Sequence, residues 1–259
     1  MAQPNDVFTI NDIRAAATAK LDSRWAQYIN EGSMDLITVK ANEAAYDRYR
    51  IMPRILRDVA EIDTTTTIFG SKASFPFGFS PAAMHCLAHP DGEIATSRAA
   101  AKTGIAMGLS HWATKSLEDV IAAGQEINPS TPYAIQTSSA NPKHHTASLL
   151  ARASKAGYKA VLRRRERLLV GVDGGIRRGS DVFKALALGA DVCFAGRVPL
   201  WGLAWAGREG VERAVGILRD EFETCMRLAG CRSLADIGPE CLAVVEGGVP
   251  GLTRRLPKL

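Results

Sequence analysis

From Phe75 onward the chain repeats one local theme, a short apolar run of strand length followed by a helical segment that ends in glycine. "FPFGFSPA" (75–82), "IAMGLS" (105–110), "PYAIQTS" (132–138) and "YKAVL" (158–162) read as strands. "GEIATSRAAAKTG" (92–104), "SLEDVIAAG" (116–124) and "PKHHTASLLARASKAG" (142–157) read as the helices between them. A helix between successive buried strands carries the chain back to start the next strand in the same direction, and the closing glycine supplies the left-handed residue at the helix end. The pattern predicts an α/β fold, a parallel sheet covered by helices.

The alternation is interrupted once. After "YKAVL" come "RRRER" (163–167) and then a fifth strand, "LLVGV" (168–172), with no helix between. A helix and a sixth strand, "DVCFAG" (191–196), complete the series, and "VERAVGILRDEFETCMRLAG" (211–230) reads as a long helix. Two leading helices, "INDIRAAATAKLDSRWAQYIN" and "MDLITVKANEAAYDRY", and a β-prone "TTTTIFGSKAS" precede the alternation. A (β/α)₈ barrel of the TIM type needs eight strands, so six imply an incomplete barrel with N-terminal helices. "RRRER" is too short for a crossover helix. The fourth and fifth strands must therefore pair directly or leave exposed edges, in an open or distorted partial barrel.

The segment "VDGGIRRGSDVFKALALGADVCFAGR" (172–197) joins the last two strands. Gly174, Gly175 and Gly179 allow a tight turn that approaches a ligand closely. Ser180 or Asp181 can cap a helix with Val182, Phe183, Leu186 and Leu188 on its apolar face and Gly189 at its end. Gly196 and Arg197 close the next strand, so two glycine-bearing turns stand side by side at the carboxyl ends of adjacent strands. That is the usual phosphate position of a TIM barrel, where backbone N–H groups, Arg177 and Arg197 could hold a dianion. A turn with Asp and Gly in these places can also serve geometry alone.

Composition is that of an ordinary soluble globular chain of 259 residues, long enough for a full core, with a mild formal charge of +5. No apolar run reaches the ~18 residues of a membrane span, and "MAQPNDVFTINDI" lacks a secretory pattern. Five cysteines without a C-x-x-C pair fit reduced thiols in an intracellular compartment. The densest basic cluster, "RRRER", is not accompanied by the aromatic residues or motifs of a nucleic-acid reader.

Several long segments resemble the FMN-dependent α-hydroxy-acid oxidases and dehydrogenases, the group of glycolate oxidase, lactate oxidase and flavocytochrome lactate dehydrogenase. They are "RIMPRILRDVAEIDTTTTIFG", "SPAAMHCLAHPDGEIATSRAAAKTG", "LSHWATKSLEDV", "DGGIRRGSDVFKALALGA", "FAGR" and "RDEFETCMRLAGCRSLADI". The resemblance covers residues 8 to about 162 and 168 to about 238, and treats 1–259 as one domain with a deletion junction near 162–168. It implies FMN as cofactor. Pro81, Ala82 and Ala83 correspond to backbone beside the flavin ring, Ser110 to a serine that contacts it, and Gln136 to a glutamine on its pyrimidine edge. Asp173, Gly174, Gly175, Arg177, Gly196 and Arg197 correspond to residues around the ribityl and phosphate groups, and Tyr28 to a tyrosine that binds the substrate carboxylate. Taken singly, Ser110 can equally end a strand, Gln136 satisfy a buried amide, and Tyr28 sit half-buried on a helix.

The departures are as specific. Ser138 stands where the family has an active-site tyrosine. The threonine-bearing segment after the fourth strand is missing, and Arg165 in "RRRER" stands in for a substrate-binding arginine among foreign neighbours. The lysine of the family's fifth strand, and the motif of its sixth that brings the catalytic histidine and a second arginine, have no counterpart. His85, His89, His111, His144 and His145 all lie in other contexts, so no catalytic residue is identified. The resemblance implies oxidation of small L-2-hydroxy acids to 2-oxo acids. The departures leave two alternatives to that activity, a non-catalytic flavin- or phosphate-binding remnant and an internally deleted chain that folds poorly. It also suggests a homo-tetramer, with neither nucleic acid nor membrane as partner. The ending "PKL" (257–259) resembles a peroxisomal address, the alternative being a cytoplasmic location.

Overall fold

A computed structural model of the chain describes residues 7–137, 143–162, 169–245 and 253–256. Its elements are α1 (Ile10–Lys20), α2 (Ser23–Asn30), α3 (Ile37–Asp47), β1 (Tyr49–Ile51), β2 (Thr66–Ile68), β3 (Ser71–Ala73), β4 (Phe77–Phe79) and α4 (Gly92–Thr103). There follow β5 (Ala106–Leu109), α5 (Leu117–Gln125), β6 (Tyr133–Gln136), α6 (Lys143–Ala156), β7 (Ala160–Leu162), β8 (Gly171–Asp173), α7 (Gly179–Ala187), β9 (Val192–Ala195), α8 (Arg197–Leu228), β10 (Leu242–Val245) and β11 (Thr253–Arg255).

Six parallel strands form one sheet in the order β7-β6-β5-β4-β9-β8, an open part of a barrel. The two-residue period of the strands sorts the side chains onto two faces. Phe77, Phe79, Met107, Leu109, Tyr133, Ile135, Cys193 and Ala195 join the main core with α4, α5, α7 and α8. Ala106, Val192 and Phe194 face the barrel side, where the β2–β3 hairpin closes one end with Ile68, Ala73 and Phe69. Gly78 is required on that side, because a Cβ there would lie 2.8 Å from the Phe194 ring and 2.9 Å from the Ala106 Cβ.

The two strands that flank "RRRER" are the two edges. Among the described residues β7 and β8 each pair on one side only and not with each other, so of the two outcomes open to them, exposed edges are the one realised. Val161 and Val170 are 41% and 47% exposed there. The fifth strand is shorter than its sequence suggests: Leu169 and Val170 precede it, and β8 spans only Gly171–Asp173. Among the described residues no strand lies on that flank to extend the ladder.

Three further differences have local causes. The stretch 10–30 is two helices, since the Asp22 Oδ1 accepts from the Arg24 N–H at 3.0 Å and starts a new one. The 211–230 helix is the second half of α8, which begins directly after β9 and kinks at Ala206 and Gly207. α7 begins after Arg178, and Asp181, from inside the first turn, accepts from the N–H groups of Arg177 and Arg178 at 3.0 and 2.9 Å, while Ser180 does not take the capping position. A small antiparallel sheet of β1, β10 and β11 was not anticipated. Among the described residues no helix is long and apolar enough to cross a membrane.

Candidate flavin site

The carboxyl ends of β4, β8 and β9 are adjacent in the sheet, so the three turns that follow them meet. They enclose a cavity of about 230 Å³ whose lining includes Ser80, Pro81, Asp173, Gly174, Gly175, Arg177, Gly196 and Arg197. Pockets that enclose a whole cofactor-sized ligand usually hold ~300–1,000 Å³, so this cavity fits one end of such a ligand. Gly174 and Gly175 have φ of 118° and 74°, which side chains rarely adopt. A Cβ on Gly175 would lie 2.2 Å from the Asn42 carbonyl, so α3 can close over the turn only because no side chain is there. The Tyr46 hydroxyl donates to the Gly174 carbonyl at 3.0 Å and holds α3 in place.

The charge of the cavity is unbalanced. Arg177 is nearly buried, its Nη2 2.9 Å from Glu43 Oε1 and its guanidinium 4.8 Å from the centre of the Trp201 ring. Arg14 lies over the same ring at 5.4 Å. Arg197 donates to the Glu31 carbonyl at 2.7 Å. Burial, then the positive charges of Arg197 and Arg14, push the Arg177 pKa below its ordinary value against the pull of Glu43. Arg177 Nε is buried without a hydrogen-bond partner. The amide N–H groups of Arg177 and Arg178 are already taken by Asp181. Open to an anion are the arginine side chains, the Gly174–Gly175 turn that lines the cavity and the amino end of α8 at Gly196 and Arg197. Asp173 keeps solvent contact, yet partial burial of its carboxyl raises its pKa against the Ser80 hydroxyl, the Gly174 N–H and Arg177.

A second group of residues continues the site along the sheet. Pro81 rests on β5 where Gly108 leaves room, since a Cβ at Gly108 would meet the Pro81 ring at 2.8 Å. Next along, Gln136 Oε1 accepts from Ser110 Oγ at 3.2 Å and from His111 Nδ1 at 3.0 Å. The carbonyl can only accept, so Nδ1 of the imidazole is the donor in this contact. The loops carrying Pro81–Ala83 and Ser110–Thr114 are tied by the Met84 N–H to the Trp112 carbonyl at 3.3 Å. Glu93, fully buried, binds both: Oε1 accepts from the His85 and Thr114 N–H groups and Oε2 from the Thr114 hydroxyl at 2.6 Å. Burial alone would raise the Glu93 pKa, but the two Thr114 bonds and His85 outweigh it and lower it. His85 Nδ1 meets Thr96 Oγ1 at 2.9 Å. Burial brings the His85 pKa down to about 4, with Glu93 and the Ala82 carbonyl opposing.

Pro81, Asp173, Gly174, Gly175, Arg177, Gly196 and Arg197 thus share one cavity, and Ser110 and Gln136 share one hydrogen bond. Ala82 and Ala83 follow Pro81 on the β4 loop, half-buried. Tyr28 is 50% exposed on α2, in a separate depression with Arg24, Gln27 and Gly32. Arg165 and Ser138 lie outside the described residues. Sequence reasoning did not single out Arg14, Glu43, Trp201 or the Glu93–Thr114 link. Each is brought in by long-range packing, and only the closeness of Glu93 to the "AHPDG" turn hinted at one of them.

Comparison with known proteins agrees with this geometry. A family model described as FMN-dependent dehydrogenase matches residues 17–164 and 161–244, two pieces that meet at the interrupted part of the alternation. Oxidase FUB9 of Gibberella fujikuroi is 36% identical over 341 residues, covering 93% of this chain and 95% of its own length. Glycolate oxidase of Spinacia oleracea is 30% identical over 359 residues, covering 92% and 96%. Both alignments are longer than the 259 residues of this chain, so each relative has positions with no counterpart here. In fold, the chain is similar to the recombinant flavin-binding domain of baker's yeast flavocytochrome b2, with a TM-score of 0.88, 24% identity and coverage of 97% and 91%. The chain belongs to the FMN-dependent dehydrogenase family, a family of flavoprotein oxidoreductases built on the TIM barrel. FMN is its cofactor.

Proposed function

We propose that the chain binds FMN at the cavity between the three turns, and that the site is laid out for oxidation of a small 2-hydroxy acid to a 2-oxo acid. The observation that supports this most is the placement of Arg177 and Arg197 at two glycine turns, with Glu43 as the paired carboxylate and Arg14 adding positive charge from the Trp201 ring. Gly174, Gly175, Arg177, Gly196 and Arg197 would hold the phosphate, Asp173 the ribityl hydroxyls, and Pro81, Ala82, Ala83, Ser110 and Gln136 the ring. Bound FMN supplies a two-electron acceptor. The residues of the chain orient it, through the Glu93 link between the two loops.

Tyr28 and Arg165 are the residues proposed for the substrate carboxylate. A general base is not assigned, and His111, bonded to Gln136 through Nδ1, is the imidazole placed at the Ser110–Gln136 pair. Oxidation by this chain is therefore far slower than by a relative with the missing strands. We also propose a peroxisomal location, from Pro257, Lys258 and Leu259, and assembly as a homo-tetramer.

The test is quenching of flavin fluorescence by the chain, with FMN and riboflavin compared. FMN should bind at least tenfold more tightly, and Arg197→Met should remove most of that difference, since a charge-assisted hydrogen bond contributes ~1.5–3 kcal/mol. Equal affinity for the two flavins would overturn the assignment of the phosphate site.

A further inference from the structure

Away from the flavin site, two thiols face each other. Cys231, just after α8, and Cys241, just before β10, are fully buried, and their Sγ atoms are 3.9 Å apart. The residues between them form two short 3₁₀ turns, Leu234–Asp236 and Pro239–Cys241. The Asp236 carbonyl sits at 3.4 Å from Cys231 Sγ and 3.6 Å from Cys241 Sγ. The Arg54 guanidinium completes the cluster, with Nη2 2.9 Å from Cys231 Sγ and Nε bonded to the Ala229 carbonyl. A positive charge against two touching sulfurs favours a single thiolate on the pair, which is the reactive form of the group. The thiol–thiol contact lowers the pKa of Cys241 and raises that of Cys231, so the two sulfurs share one proton.

We propose that Cys231 and Cys241 are an oxidant-sensitive dithiol that a hydroperoxide converts into an intrachain disulfide, fastening the end of α8 to β10. The thiolate of one cysteine attacks the peroxide O–O bond, giving a sulfenic acid and one water after protonation. The other sulfur attacks the sulfenic sulfur, releasing the second water and forming the S–S bond. Two thiols lose two electrons and two protons, and one hydrogen peroxide becomes two waters. The covering turns are short and partly exposed, so a local opening admits so small an oxidant. The other cysteines lack this arrangement. Cys193 and Cys225 are pushed up to about 12 and about 11 by burial, and Cys86, partly exposed, has the Pro90 carbonyl as its neighbour at 3.5 Å. Because β10 pairs with β1, and Arg54 follows β1, the bond would tie three separated parts of the chain together.

The experiment treats the native full-length chain with a small excess of hydrogen peroxide, then alkylates, digests and maps the thiols. A crosslinked peptide joining Cys231 to Cys241 should form first, with the free-thiol count falling from five to three and an intact mass lower by two hydrogens. Tm should rise by about 5 °C or more and return on reduction, as expected for closing a short loop in the unfolded chain. Cys241→Ser should abolish both the crosslink and the rise, and Arg54→Lys should slow the reaction several-fold. The peptide map of the unsubstituted chain decides the matter even if a variant folds poorly. Oxidation of Cys86 or Cys225 ahead of the pair, or a crosslink that appears only in denaturant, would overturn the proposal.

Discussion

Mild acid should loosen the loops after β4 and β5 through His85. The ring is buried, and its pKa is down to about 4 in the folded chain against 6.5 for the free side chain. A group whose folded pKa is depressed contributes stability that is fully present above the unfolded value and is lost as pH falls toward the folded value. The full difference corresponds to about 3 kcal/mol, and the portion lost between pH 7 and pH 5 to about 2 kcal/mol. With a urea m-value of ~2–3 kcal/mol/M, the unfolding midpoint should drop by about 0.7–1 M over that interval. His85→Gln keeps an amide for Thr96 and removes the titration, so its midpoint should change much less. Because the same ring faces the Ala82 carbonyl and the His85 N–H is bonded to Glu93, FMN affinity should weaken over the same pH range. The assay is urea unfolding followed by tryptophan fluorescence at pH 7, 6 and 5 for both chains. Parallel loss of stability in the unsubstituted chain and the variant would refute the reasoning.

With FMN and excess L-2-hydroxy acid under anaerobic conditions, flavin bleaching by the chain should be undetectable beside a version carrying a relative's segment after Leu162. General-base assistance alone contributes ~10²–10⁴-fold; comparable rates would show that a substitute base exists, with His111 the first to replace. Gly175→Ala should cost ~2–4 kcal/mol and abolish FMN binding, because the new Cβ meets the Asn42 carbonyl in a backbone conformation that disfavours it; calorimetry with unchanged Tm would contradict this. A fluorescent protein ending in the last ten residues should enter peroxisomes, and diffuse signal would count against that address.

What could be read without a structure was local. Period-two strands, glycine-ended helices and the "DGGIRRG" turn follow from the neighbours of each residue, so the sequence alone determined the parallel α/β pattern, the incomplete barrel and the glycines of the turn after β8. The absence of a helix in "RRRER" likewise foretold that the strand count falls short. Whether β7 and β8 meet was a different matter, because pairing depends on where distant strands lie, and only the tertiary structure placed them at opposite edges. The same holds for the site. Arg14 and Arg177 on the faces of Trp201, Glu43 from α3, and Glu93 joining two loops come from segments far apart in the chain, each with an ordinary local pattern. Their roles arise from burial and from a charge balance that exists only after folding, when desolvation strengthens interactions that water would screen.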